Sequence, residues 1–218
     1  AKATVAERRR KAAAELERLR EFRGVHCAFS ISNAHATDDL ERRAFSLKTV
    51  THLTLVGEGF FMARENGGSF WTGLPAALHS RLVNTQGAVH YVAAGPDGQY
   101  YADVGSSIWW SGTCSDSFDE VMEEADSSIS RVAFGPQGSW IILYSDGETE
   151  SAWEGIPTGL HNKLRSRNPR LSKPVEVALG QNETWYVEFA DGTYEYSLPS
   201  EVAREFEEWQ EAGWQVSN

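Results

Sequence analysis

The residues of this chain best suited to chemistry are aromatic, and several of them meet in one stretch. Eight tryptophans occur among the 218 residues, and Trp109 and Trp110 stand side by side within Gly105–Asp119, which also contains Cys114 and several hydroxyl side chains. Aromatic rings supply large apolar contact area, on which peptide side chains or sugar rings stack. Adjacent strand residues point to opposite faces, so the pattern predicts Trp110 as the exposed ring. We therefore take Trp109, Trp110 and Cys114 as candidate partner-binding residues.

Catalytic chemistry has no comparable cluster in the sequence. The six histidines are scattered and match no zinc-protease, serine-hydrolase or phosphate-loop motif. His79 and His161 occupy the same place in two copies of a repeat, each directly after a leucine. A repeated position is more typical of structure than of catalysis, because catalysis needs unlike groups at one place. The sequence thus predicts no catalytic residue, no cofactor and no enzyme activity.

Acidic residues before glycines could be mistaken for calcium loops. They occur at Asp97-Gly98, Asp146-Gly147 and Asp191-Gly192. A calcium site needs six or more converging oxygens, and none of these turns has that density. A glycine with positive φ after an aspartate is instead typical of a hairpin turn. The two cysteines also lack a metal-binding spacing, so the sequence predicts no metal site.

An internal repeat positions all of these residues. From residue 50 onward, an apolar strand, a glycine turn, two aromatic strands joined by a second turn, and a short helix recur. The reference glycines are 38, 40 and 45 residues apart, which suits one three-stranded sheet plus a helix: Gly57, Gly95, Gly135 and Gly180. Prolines that fix φ are predicted to open three of the helices: Pro75, Pro157 and Pro199. The second copy is eroded and lacks its proline.

The pattern predicts an α+β, β-rich fold. It consists of tandem three-stranded antiparallel meanders, each with a short helix, in units of about 50–87, 88–127, 128–172 and 173–210 within a repeat domain 50–218. Two arrangements satisfy the pattern, namely sheets set radially around a pseudo-axis or sheets in a side-by-side array. The spacing resembles that of β-propeller blades over roughly residues 50–206. The resemblance implies architecture alone, since no diagnostic blade signature is present.

The first 49 residues precede the recognisable repeats. Residues 1–23 are rich in Ala, Glu, Arg and Leu, with apolar positions three and four apart, which predicts an amphipathic helix. This helix either docks on the body or ends a longer coiled coil that self-associates. Residues 24–49 are either an entry segment or a degenerate first unit.

Net charge and apolar content restrict the kinds of partner that we expect the chain to bind. The net charge is −11, and residues 1–23 carry eight basic and four acidic side chains, a balance of +4 that leaves −15 on the remainder. An acidic body argues against nucleic acid on the repeats, because phosphates need a cationic face. The sequence contains no run of about 18 apolar residues, so it predicts no membrane span. Two cysteines in unrelated contexts suggest free thiols, so we expect a cytoplasmic protein.

These observations favour a non-catalytic protein-binding or scaffolding module, since repeats present recurring surface loops. The alternative is a lectin-like carbohydrate-binding protein with one aromatic platform in each of several units. An enzyme with a site between units ranks third. The platforms would be the third-strand aromatics, which we predict to be equivalent and which also suit an inter-unit core: Trp71, Trp109, Trp153 and Tyr196.

Overall fold

The computed structural model describes residues 50–56, 59–64, 67–105, 107–111, 113–125, 129–145, 150–166 and 172–211. Over these residues the chain forms four three-stranded antiparallel sheets and four α-helices, which confirms the β-rich, repeated-sheet prediction. Residues from His52 to Pro199 form one compact unit, and the last helix lies outside it. The predicted helix at 1–23 and the segment 24–49 lie outside the described residues. No helix in the described ranges is long and apolar enough to cross a membrane.

Each sheet is a meander with its strands in chain order. Sheet 1 contains β1 (Val50–Val56), β2 (Gly59–Arg64) and β3 (Ser69–Thr72), followed by α1 (Ala76–Asn84). Sheet 2 contains β4 (Tyr91–Ala94), β5 (Tyr100–Asp103) and β6 (Ile108–Trp110), followed by α2 (Asp116–Glu124). Sheet 3 contains β7 (Ile129–Phe134), β8 (Trp140–Tyr144) and β9 (Ala152–Glu154), followed by α3 (Thr158–Ser166), with a 3₁₀ turn at Pro136–Gly138. Sheet 4 contains β10 (Pro174–Leu179), β11 (Trp185–Phe189) and β12 (Tyr194–Ser197), followed by α4 (Ser200–Glu211).

Local sequence explains where the helices begin. Three of them start at the residue after a proline, as predicted: Pro75, Pro157 and Pro199. Helix α2 has no proline there, and Ser115 serves as its N-cap, with its hydroxyl accepting the Phe118 N–H at 3.3 Å. A serine cap satisfies one of the unpaired N–H groups of the first turn. The eroded unit therefore keeps its helix through a different local interaction.

Neighbouring sheets share hydrophobic cores, and the helix between them in sequence completes each core. The first core joins sheets 1 and 2 through α1, and its residues include Phe61, Leu78, Leu82, Val92, Tyr100 and Ala102. The middle core joins sheets 2 and 3 through α2, and its residues include Ala93, Tyr101, Phe118, Met122, Val132 and Ile142. The last core joins sheets 3 and 4 through α3, and its residues include Ala133, Ile141, Leu160, Val177, Trp185 and Val187. The units therefore fold against one another, while the radial setting of the sheets stays a prediction.

Polar side chains from the four first strands form a continuous row, which we call the first-strand row: His52, Tyr91, Arg131 and Glu176. The rings of His52 and Tyr91 are 4.3 Å apart, and the Arg131 guanidinium lies 5.6 Å from the Tyr91 ring. Arg131 Nε donates to the Glu176 carboxylate at 2.7 Å. The row thus links β1, β4, β7 and β10 across all four sheets.

The first-strand row also satisfies backbone groups at the sheet edges. The Tyr91 hydroxyl donates to the Val132 carbonyl at 2.8 Å and accepts the Val132 N–H at 3.1 Å. Between sheets 1 and 2, His52 Nε2 likewise donates to the Val92 carbonyl at 2.8 Å. Each first strand is an edge of its sheet, and an edge leaves backbone groups unpaired unless something covers them. Side chains of the preceding sheet supply that cover here.

We expect Tyr91→Phe to lower the free energy of unfolding by about 1–3 kcal/mol, because both Val132 backbone groups lose their partner. The matched control is Tyr101→Phe, which changes a buried tyrosine whose hydroxyl bonds to no described residue. That control should cost less than about 0.5 kcal/mol. Urea unfolding of the three proteins measures both values, and equal losses would contradict the role given to Tyr91.

Stability should fall in acid through His52. Burial lowers the pKa of His52 from 6.5 to about 4, with a smaller lowering from the Arg131 charge and an opposing effect of the Val92 hydrogen bond. As pH falls from 6.5 to 4, the unfolded chain binds a proton that the folded chain refuses, so the free energy of unfolding falls by up to about 3 kcal/mol. Urea unfolding across this pH range should show a shallower fall for His52→Gln. Parallel curves for the two proteins would refute the assignment.

Candidate functional site

Strand register shows which third-strand tryptophans are equivalent. Three of them pair with residues that face the core shared with the next sheet: Trp71 with Phe61, Trp110 with Tyr101 and Trp153 with Ile141. Trp109 instead pairs with Ala102, which faces the first core. The predicted equivalence of Trp109 with Trp71 and Trp153 is therefore wrong by one residue. Turn length sets hairpin register, and two adjacent tryptophans fit either register equally well in the sequence.

The three equivalent tryptophans make the same contact. Each indole Nε1–H donates to the fourth residue of the helix that follows. The pairs are Trp71 with His79 Nδ1 at 3.2 Å, Trp110 with Asp119 Oδ1 at 2.8 Å and Trp153 with His161 Nδ1 at 3.2 Å. A partly buried indole N–H needs such an acceptor. The two repeated histidines thus receive a structural role, which ties the third strand to its helix.

The structure does not bring the three predicted site residues together. Trp110 and Cys114 pack against the middle core, while Trp109 packs against the first core on the other face of sheet 2. Trp110 is half-buried with its N–H engaged, so the prediction that it is the exposed ring is wrong. Burial raises the pKa of the Cys114 thiol, against an opposing hydrogen bond from Ser111. A thiol of raised pKa is less readily converted to the reactive thiolate.

Trp109 lines a surface cleft, which we call the Trp109 cleft. Its volume is about 550 Å³, and its lining residues are Ser80, Arg81, Asn84, Thr85, Gln86 and Trp109. The second half of α1 and the residues just after it form one wall, and β6 forms the other. The cleft therefore lies where the first unit meets the eroded second unit.

Arg81 is held against the aromatic wall of this cleft. Its guanidinium carbon lies 5.8 Å from the centre of the Trp109 ring and 6.0 Å from that of the Tyr100 ring. Tyr100 is buried in the first core, so one of the two rings is anchored. A guanidinium stacks through its face and carries its five N–H donors at its edge. The contact thus orients Arg81 while leaving donors available to a ligand.

The remaining lining residues are neutral and polar. Asn84 Nδ2 donates to the Ser80 carbonyl at 2.6 Å, which fixes the amide and leaves its oxygen as an acceptor. Among the described residues, none that lines the cleft carries a carboxylate, and no group of three side chains could hold a metal ion. A ring face, two amides and one cation suit noncovalent recognition. The sequence analysis missed Arg81, Asn84 and Gln86, because polar residues on the exposed face of a helix are ordinary.

Comparisons with known proteins give little further information. No family model and no curated protein matches the sequence. The structure is weakly similar to the C-terminal domain of gp131 from bacteriophage phiKZ, with 12% identity, 69% of this chain and 52% of that chain covered, and a TM-score of 0.38. Virginiamycin B lyase from Staphylococcus aureus is 13% identical, with 71% of this chain and 57% of that chain covered and a TM-score of 0.29. YCF48 bound to a D1 peptide is 13% identical, with 67% of this chain and 48% of that chain covered and a TM-score of 0.27. The chain thus spans about half the length of each of these structures.

The two adjacent tryptophans should differ in their effect on stability. We expect Trp110→Phe to lower the free energy of unfolding by about 1 kcal/mol, since the Asp119 hydrogen bond is lost, and Trp153→Phe to behave alike. Trp109→Phe breaks no indole hydrogen bond to a described residue and should cost less than about 0.5 kcal/mol. Urea unfolding measures all three variants. A cost for Trp109→Phe as large as that for Trp110→Phe would refute the register-based assignment.

Proposed function

We propose that this chain is a non-catalytic protein-binding module and that the Trp109 cleft receives an extended segment of its partner. One observation carries the proposal, namely the ring of Trp109, which packs on the first core yet lines an open cleft beside Arg81. Tryptophan and arginine are enriched among the residues that dominate binding energy in protein interfaces. A ring already fixed by packing loses little conformational freedom when a partner binds.

The other cleft residues fit a peptide backbone. Asn84 and Gln86 offer amide donors and acceptors, which are complementary to peptide N–H and C=O groups. The volume of about 550 Å³ suits a few residues of an extended chain. The described lining residues are a ring, a cation and neutral polar side chains, and these groups support noncovalent binding.

A lectin-like function is the second candidate. It calls for a similar aromatic platform in several units, whereas Trp71 and Trp153 are held against their own helices by hydrogen bonds. The register counterparts of Trp109 in sheets 3 and 4 are Ala152 and Glu195, which offer no ring, and the counterpart in sheet 1 is Phe70, whose ring lies 6.0 Å from that of Phe60. Two of the four sheets therefore lack such a ring, which counts against an aromatic platform in every unit. Self-association through residues 1–23 and the lack of enzyme activity stay predictions.

Affinity capture from lysate of the source cells tests the proposed function. The baits are the wild-type chain, Trp109→Ala and the double variant Ser80→Ala/Asn84→Ala, which changes two exposed cleft residues. The matched control is Asn162→Ala/Ser166→Ala, which changes the same two exposed positions of α3. We expect wild type and control to retain one protein that both cleft variants lose by at least about tenfold, roughly 1.4 kcal/mol of binding energy.

Circular dichroism of each bait shows that the variants remain folded. Equal capture by all four baits would reject the Trp109 cleft as the binding site, and equal loss in the control would assign the effect to folding. A glycan array run with the same proteins addresses the second candidate. Glycan binding that Trp109→Ala abolishes would replace the protein-binding proposal by the lectin-like one.

A further inference from the structure

One pair of positions recurs where each helix meets the next sheet. One member is the sixth residue of the helix, and the other is a residue on the third strand of the next sheet. In that sheet, this third-strand residue pairs with the third residue of the second strand. The three helix positions are Arg81, Val121 and Lys163, and the three strand positions are Trp109, Ala152 and Glu195. The repeat thus fills one pair of equivalent positions with different residues at its three interfaces.

The three pairs differ in chemistry. Val121 and Ala152 are both apolar, and both pack against the middle core. Lys163 forms an ion pair with Glu195, so a glutamate from a strand neutralises the helix cation. Arg81 stacks on Trp109, which occupies the strand position of that glutamate. The first interface therefore has the cation of the third interface without its carboxylate.

Arg81 has no carboxylate partner within the part of the chain that the structure describes. Glu176 is paired with Arg131, and Glu195 is paired with Lys163. Arg81 is exposed, and among the described residues it is the one charged side chain that lines the Trp109 cleft. A stacked guanidinium keeps its planar set of N–H donors, which matches both oxygens of a carboxylate.

We propose that the Trp109 cleft binds an acidic side chain carried by an extended segment of the partner protein. The inference rests on the proposed function of this cleft and names the chemistry of its ligand. The partner carboxylate takes the place at Arg81 that Glu195 takes at Lys163. The internal precedent is a glutamate side chain on a strand, and this favours an acidic residue within an extended segment over a chain terminus.

Charge also restricts the partner. The chain carries a net charge of −11, so a polyacidic segment would be repelled by the protein as a whole. A single acidic residue flanked by apolar ones avoids that repulsion and places an apolar side chain against the Trp109 ring. Short acidic-apolar segments are therefore favoured over acidic tracts, since specificity depends on the difference between the two affinities.

Two blocked pentapeptides that differ in one group test the inference. They are acetyl-Ala-Leu-Glu-Leu-Ala-amide and its glutamine counterpart, titrated into ¹⁵N-labelled protein while two signals are followed by NMR, the Trp109 indole N–H and the Gln86 backbone amide. The Gln86 amide serves as the probe in the variants that lack Trp109. We expect the glutamate peptide to bind about fivefold more tightly at low salt, as suits an exposed charge pair. The ratio should fall towards one in about 0.5 M NaCl, because salt screens exposed charges.

Variants locate the effect at Arg81. Arg81→Gln should bring the ratio of the two affinities to about one, while Lys163→Gln, which removes the corresponding cation of α3, should leave it at about fivefold. Trp109→Glu restores the arrangement of Lys163 and Glu195 within the chain, so it should also abolish the preference. Trp109→Gln removes the same ring without adding a carboxylate and should keep the preference, although both peptides bind more weakly.

The outcomes separate this inference from the proposed function. Equal binding of the two peptides to the wild-type cleft would overturn the carboxylate inference and leave peptide binding intact. No signal change with either peptide would also overturn it, and the capture experiment would then decide the proposed function alone. If a glutamine peptide with a free carboxyl terminus matched the glutamate peptide, the ligand would be a chain end and the side-chain assignment would be wrong.

Discussion

The sharing of cores between neighbouring sheets is the constraint on which the rest of this structure depends. A repeat unit cannot bury its apolar face alone, and each pair of neighbouring sheets here buries apolar faces against each other. Sheet 2 shows this most clearly, since Val92 and Ala102 enter the first core while Ala93 and Tyr101 enter the middle core. Helices α1, α2 and α3 each contribute buried side chains to the layer between their own sheet and the following one. A change in one unit is therefore felt in the unit beside it.

Stacking sheets in this way creates a problem at their edges, which the first-strand row solves. Every first strand is an edge strand, and polar backbone groups near a core are costly when they lack a partner. Tyr91 and His52 provide side-chain partners from one sheet earlier. The same contacts set the distance between neighbouring first strands. The same contacts therefore cover the sheet edges and set the spacing of the sheets. The residues that make these contacts differ in type from one sheet to the next.

Local sequence patterns foretold the repeated sheets and the helix starts, because turn glycines and prolines act within a few residues of themselves. Contacts between residues far apart in the sequence could not be predicted from such local patterns. The register of β6 depends on how the turn before it closes, so the roles of Trp109 and Trp110 were exchanged in the prediction. The contact of Arg81 with Trp109 joins two units and follows from the stacking of sheets. A comparison of Lys163 with Arg81 by helix position was the one signal in the sequence that pointed to it.

The eroded second unit keeps the contact between third strand and helix although its aromatic residues are arranged differently. Trp110 takes over the hydrogen bond to the helix that Trp71 and Trp153 make in their units, with Asp119 as the acceptor. That leaves Trp109 at a position where sheets 3 and 4 have Ala152 and Glu195 and sheet 1 has Phe70. The ring lies beside Arg81, at the place that Glu195 takes beside Lys163. One tryptophan thus keeps the structural contact of the repeat while its neighbour takes no part in it, and the proposed recognition by Trp109 and Arg81 depends on this division of roles.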